Sequence, residues 1–113
     1  MVALEDVRAV ALTLPRTTEH LIRDRVKFRV KQIVYAGFSR DETLMGFAFP
    51  KEERDALVAA EPHKFLLPPT SDLRFNWVVV RLDQLELDEM EERVCDAWAM
   101  CVPTFLVRER LGD

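Results

Sequence analysis

Residues 25–31 read Arg25-Val26-Lys27-Phe28-Arg29-Val30-Lys31, a strict alternation of basic and apolar side chains. A helix repeats every 3.6 residues and would scatter these apolar members around its axis, whereas a strand repeats every two. The segment is therefore expected as a half-buried strand with Val26, Phe28 and Val30 facing a core. The run Ile33-Val34-Tyr35-Ala36-Gly37-Phe38 is apolar on both faces, which suits a central strand. Between them Lys31-Gln32 contains no glycine, so a tight primed turn is strained and a longer or bulged connection is expected. Residues 43–49 follow as a third strand with Met45, Phe47 and Phe49 on one face. Residues 75–82, with Trp77-Val78-Val79-Val80 at their heart, form a fourth.

Helical periodicity brackets these strands. Val7, Val10, Ala11 and Leu14 recur at helical spacing until Pro15, which predicts a helix over about 3–14. Pro50 suits the first turn of a second helix over 50–60, with Lys51, Glu52, Glu53, Arg54 and Asp55 outward and Leu57 and Val58 inward. A third opens at Asp88, whose carboxylate and Glu91 match a D-x-x-E capping box. Met90, Val94, Ala97, Trp98 and Cys101 are its buried stripe; Pro103 kinks or ends it, and residues 104–111 continue as a short separate turn. The order predicts an α+β fold: a two-layer sandwich with an antiparallel sheet of about four to five strands and helices on one face. The 113 residues fit one domain, 1–113.

Composition narrows the function classes. The formal net charge is −4, so nucleic acid is not favoured globally and its binding requires a local basic patch. Cys95 and Cys101 project about 240° apart on one helix and cannot bridge there. With no C-x-x-C pair and two histidines, zinc lacks ligands; reduced thiols, no metal and no cofactor are expected. No apolar stretch approaches the roughly 20 residues of a membrane span, and the start lacks a basic, then apolar, leader pattern. A cytoplasmic, bacterial-type protein without a membrane partner is the expectation.

The chain resembles the MmcQ/YjbR-like family from Ala9 to about Pro103. The pieces that carry the resemblance are Leu14-Pro15-Arg16-Thr17-Thr18-Glu19, Phe28-Arg29-Val30, Glu53-Arg54-Asp55-Ala56-Leu57, Glu61-Pro62 with Phe65, Trp77-Val78-Val79-Val80-Arg81-Leu82, and Ala97-Trp98. The resemblance implies a fold similar to type III secretion chaperones, and a DNA-binding role inferred from shape rather than from a defined reaction. At Lys31-Gln32 the chain departs from the family's glycine-then-basic pattern.

Two features bear on function. Arg23, Arg25, Lys27, Arg29 and Lys31 form a basic row whose members, two apart on a strand, stand about 6.6–6.8 Å from one another. That spacing is close to successive phosphates on one nucleic-acid strand. With a two-residue turn at Lys31-Gln32, Val34, Ala36 and Phe38 would lie beside Arg29, Lys27 and Arg25 as an apolar floor able to stack a base. The plainer reading is a solvated strand face, or lysines guarding a sheet edge. The second feature is the connection 61–74, with Pro62, His63, Lys64, Phe65, Ser71, Asp72 and Arg74. It either rims a ligand cleft or is a proline-pinned link with Phe65 and Trp77 plugged into the core, and the plug is favoured. Catalytic patterns are thin: no G-x-S-x-G, glycine-rich phosphate loop or H-E-x-x-H occurs, and adjacent Glu19 and His20 point oppositely on a strand. The acidic stretch Asp83, Glu86, Asp88, Glu89, Glu91, Glu92 reads as a helix start, or as a surface for a basic partner or another copy's basic strand. The expectation is a small non-enzymatic module binding DNA weakly and without sequence preference. The alternative is a protein-interaction or dimerisation module with no nucleic-acid role.

Overall fold

One antiparallel sheet of six strands, in the order β1-β2-β3-β4-β6-β5, organises the molecule. The strands are β1 Thr17–Ile22, β2 Arg25–Val30, β3 Ile33–Phe38, β4 Leu44–Ala48, β5 Phe65–Leu66 and β6 Trp77–Arg81. The helices are α1 Leu4–Ala11, α2 Lys51–Ala60, α3 Leu87–Ala99 and α4 Thr104–Arg110. This computed structural model describes residues 1–110; the expected extension of the last element to Leu111 lies outside the described residues.

The alternation in β2 sorts as its sequence dictates, with Phe28 and Val30 buried and Arg25 exposed. α3 packs on β3 and β4, and α1 packs on α3. Between these layers lie Trp98, Tyr35, Phe28, Phe47 and Phe65, all fully buried. The Trp98 indole N–H donates to the Pro15 carbonyl at 2.8 Å, and the Tyr35 and Thr17 hydroxyls meet at 2.9 Å. Both polar handles inside the core thus find partners, as burial demands.

Two strands go beyond those read in the sequence. β1 is an edge strand paired only with β2, and β5 has two residues. Arg23 and Asp24 close the β1–β2 hairpin, both with positive φ (52° and 64°), the twist-matched two-residue turn that normally recruits Asn-Gly. Arg23 therefore belongs to the turn and not to the strand row.

The next hairpin closes tightly through Lys31-Gln32, Lys31 taking φ 54° without glycine. Its register breaks: Arg29 faces Val34, but Phe28 faces Ala36, leaving Tyr35 as an extra residue. This β-bulge turns the rest of β3 by one position. Lys27 consequently faces Gly37 instead of the expected Ala36. Ala36 and Phe38 are core residues, Phe38 meeting Phe28 edge-on with ring centroids 6.2 Å apart.

Helix ends also differ from the sequence reading. α1 is shorter than 3–14, and Pro50 is the N-cap of α2 rather than its first-turn residue. α3 is capped at Glu86, and the Asp88 carboxylate accepts from the adjacent Glu89 N–H, so the Asp88–Glu91 box does not form. Cys101 lies beyond the end of α3; both cysteines are free and half-buried.

Candidate functional site

The sheet face opposite Phe28 and Val30 carries Arg25, Lys27 and Arg29. Register places Ile22, His20 and Thr18 beside them on β1, and Gly37 and Val34 beside Lys27 and Arg29 on β3. Among the described residues no carboxylate lies within ion-pair distance of Arg23, Arg25, Lys27, Arg29 or Lys31, whereas Arg8 and Lys64 each have two and Arg93 has one. The members of the row are not equivalent. Arg29 Nη2 sits 3.0 Å from His20 Nδ1, and His20 Nε2 lies 2.8 Å from the Thr18 hydroxyl. A guanidinium only donates, so the imidazole nitrogen facing it accepts. Arg29 is thus held back on β1, Arg23 and Lys31 sit in turns, and Arg25 and Lys27 turn toward the centre of the sheet.

There they border a cleft of about 640 Å³, within the roughly 300–1,000 Å³ typical of small-ligand sites. Its floor is made by two glycines. Gly37 and Gly46 face each other across β3 and β4, and the Trp77 indole of β6 lies on Gly46. A Cβ on Gly46 would stand 2.4 Å from Trp77 Nε1, so only glycine lets the ring lie flat there. Among the described residues no acceptor takes that Nε1–H. Val34, Leu44 and Val79 complete the apolar floor.

One wall is the segment 67–76, contributing Pro69, Asp72, Phe75 and Asn76; Met100 and Cys101 close the end near Ile33. Asp72 is the carboxylate among these lining residues. Ile33, Phe75 and Met100 leave 53%, 50% and 44% of their surface in solvent. Burial pushes the Cys101 thiol above its ordinary value, so it lines the cleft as a protonated, apolar sulfur.

The wall is fixed by a residue the sequence reading turned outward. Arg54 is 6% exposed. Its Nη1 donates to the Phe75 and Trp77 carbonyls at 3.0 and 3.1 Å, and its Nη2 to the Leu73 carbonyl at 2.9 Å. Asn76 Oδ1 accepts the Lys51 N–H at 3.0 Å, capping α2, and Lys51 Nζ reaches the Arg74 carbonyl at 3.1 Å. Within the run Lys51-Glu52-Glu53-Arg54-Asp55, charge alone assigns Arg54 to solvent; helical phase places it on the face of Leu57 and Val58, and there three loop carbonyls in need of a donor hold it.

The two readings of the 61–74 connection divide between its residues. Phe65 is a fully buried plug, while Trp77 is half-buried in the cleft floor rather than in the core. Lys64 Nζ meets Glu89 at 2.7 Å, and Arg93 reaches the same carboxylate at 3.2 Å. Burial alone would raise the Glu89 carboxyl, but Lys64 and Arg93 reverse this and hold it below its ordinary value. Glu89 is thereby withdrawn from the acidic stretch. Glu19 and His20 do face oppositely: Glu19 accepts from Arg8 Nε and Nη2 at 2.8 Å on the helix side.

The Deinococcus radiodurans protein whose crystal structure is described by the family-model domain DUF419 has the same fold. Its TM-score is 0.75 at 19% identity, over 88% of this chain and 78% of that one. No curated protein matches. The YjbR family model matches residues 12–100, a span from just after α1 through the end of α3 that contains the sheet, the glycine floor and the Arg54-pinned wall. The chain belongs to the YjbR family.

Proposed function

We propose that this chain is a non-catalytic binding module that takes DNA on the open face of its sheet, with phosphates at Arg25 and Lys27. The observation that carries the reading is the pair of cations on adjacent outward positions of β2, free of carboxylates and bordering a cleft. Arg8, Arg54, Lys64 and Arg93, by contrast, are already spent on intramolecular acids or carbonyls. The net charge of −4 makes this local arrangement necessary and keeps the expected affinity weak. Neutralising two to three phosphates gives a plot of log affinity against log salt with a slope of about −2 to −3 for a duplex. Titration of fluorescent DNA over a salt series measures it, and a slope near zero would refute the reading.

A second reading has its own support. Ile33, Phe75 and Met100 expose apolar surface around one cleft, and Asp88, Glu91 and Glu92 remain for a complementary contact, Glu86 being paired with the N-terminal ammonium at 3.5 Å. A protein-interaction or dimerisation module fits these features. Sedimentation across concentration and salt separates the readings: a salt-sensitive dimer supports the second, and a monomer at all concentrations argues against self-association.

A further inference from the structure

We infer that the cleft selects single-stranded over double-stranded nucleic acid, taking one unstacked base onto the floor formed by Gly37 and the Trp77 indole that covers Gly46, while Arg25 and Lys27 hold the flanking phosphates. The inference rests on the reading of the basic face and narrows its ligand.

Three features of the site point to a single strand. The floor is apolar because two glycines oppose each other in register, Gly46 admitting the Trp77 indole over it and Gly37 leaving open space beside that ring. Such a floor rewards contact with the face of a base, and a duplex hides that face in its stack. Next, the same cavity is lined by Trp77, whose Nε1–H has no acceptor among the described residues, and by Asp72, a carboxylate that can only accept, the two complementary kinds of group that a base edge pairs with. A duplex phosphate track has no use for Asp72, which would repel it. Finally, the longest helix, α3, opens with Glu86 at its N-cap followed by Asp88, Glu91 and Glu92, and so cannot enter a groove bordered by phosphates.

Anisotropy titrations with a short labelled oligodeoxythymidylate and a duplex of equal phosphate number, at low salt, test the inference. The single strand is expected to bind at least about fivefold more tightly, the lower end of one stacked base. Its binding should also change tryptophan emission, which reports on Trp77 because Trp98 is 1% exposed in the core. Gly37→Val raises the floor; its Cβ meets Lys27 Cγ at 3.7 Å, an ordinary contact, a β-branched residue suits a strand, and circular dichroism checks that the variant is folded. The variant is expected to lose the emission change and to bind the single strand no more tightly than the duplex. Equal affinity for both forms, with no emission change in the parent protein, overturns the single-strand inference alone. Binding of neither form overturns it together with the reading of the basic face.

Discussion

The two faces of the sheet are built from the same strands and differ in almost every physical respect. On the helix-covered face Phe28, Val30, Tyr35, Phe47, Val78 and Val80 are excluded from water, and the polar atoms there are paired. On the open face the same strands present two glycines, an indole N–H without an acceptor and cations without counter-ions. The first face has the composition of a folding core. The second leaves unsatisfied what a chain selected only for stability would pair or shield, and unsatisfied polar and aromatic groups around a concavity mark binding surfaces.

Substitution of neighbours in β2 tests that contrast most strongly. Phe28→Ala should cost about 3–5 kcal/mol by leaving a cavity in the core. Lys27→Ala, one residue away on the other face, should stay within about 0.5 kcal/mol. Chemical denaturation of both variants checks this, and comparable losses would erase the distinction between the faces.

Arg54→Ala should follow in size, at about 3 kcal/mol, because three carbonyls lose a buried charged donor. Since those carbonyls hold the cleft wall, Trp77 emission should also shift. A stability loss without that shift would show that Arg54 supports the fold but not the cleft.

The glycine floor gives a smaller, asymmetric pair. Gly46→Ala must displace the Trp77 indole and should cost about 1–3 kcal/mol. Gly37→Ala, meeting only ordinary contacts, should be neutral or stabilising by up to about 1 kcal/mol, because the unfolded chain loses freedom. Thermal melts of the two variants measure the difference.

The smallest effect concerns pH and the helix side alone. The Arg8 hydrogen bonds hold the Glu19 carboxyl below its ordinary value despite partial burial. A depressed carboxylate contributes stability above its unfolded pKa, and the contribution is lost as pH falls through its folded one. Acid titration of stability should therefore show a decline below about pH 4.3 that is shallower in Glu19→Gln. An identical decline in the variant would remove Glu19 from that transition.

Much of the fold was legible because period and burial agree. Arg25–Val30 alternates as a strand on the rim of a core, and Met90, Val94, Ala97 and Trp98 keep a helical stripe that is buried throughout. The polar edge strand Thr17–Ile22 was not read as an element, since an edge paired on one side needs little apolar patterning. The candidate site was legible in part. Alternation places Arg25, Lys27 and Arg29 on one face, but the bulge at Tyr35 replaces Ala36 and Phe38 with Gly37 beside them. A one-residue insertion in register leaves no trace in composition or period. Trp77 escapes the sequence for a related reason, since an indole over a glycine in another strand is a consequence of tertiary contact; Arg54 shares the helical phase of Leu57 and Val58, and only its charge argues for solvent.

The salt dependence of nucleic-acid binding, compared between the parent protein and a variant with Arg25, Lys27 and Arg29 all replaced by serine, tests the central claim most directly. The account predicts that the slope of log affinity against log salt, about −2 for a single strand, collapses toward zero in the variant. An unchanged slope and affinity in a folded variant would contradict it and place any binding elsewhere on the molecule.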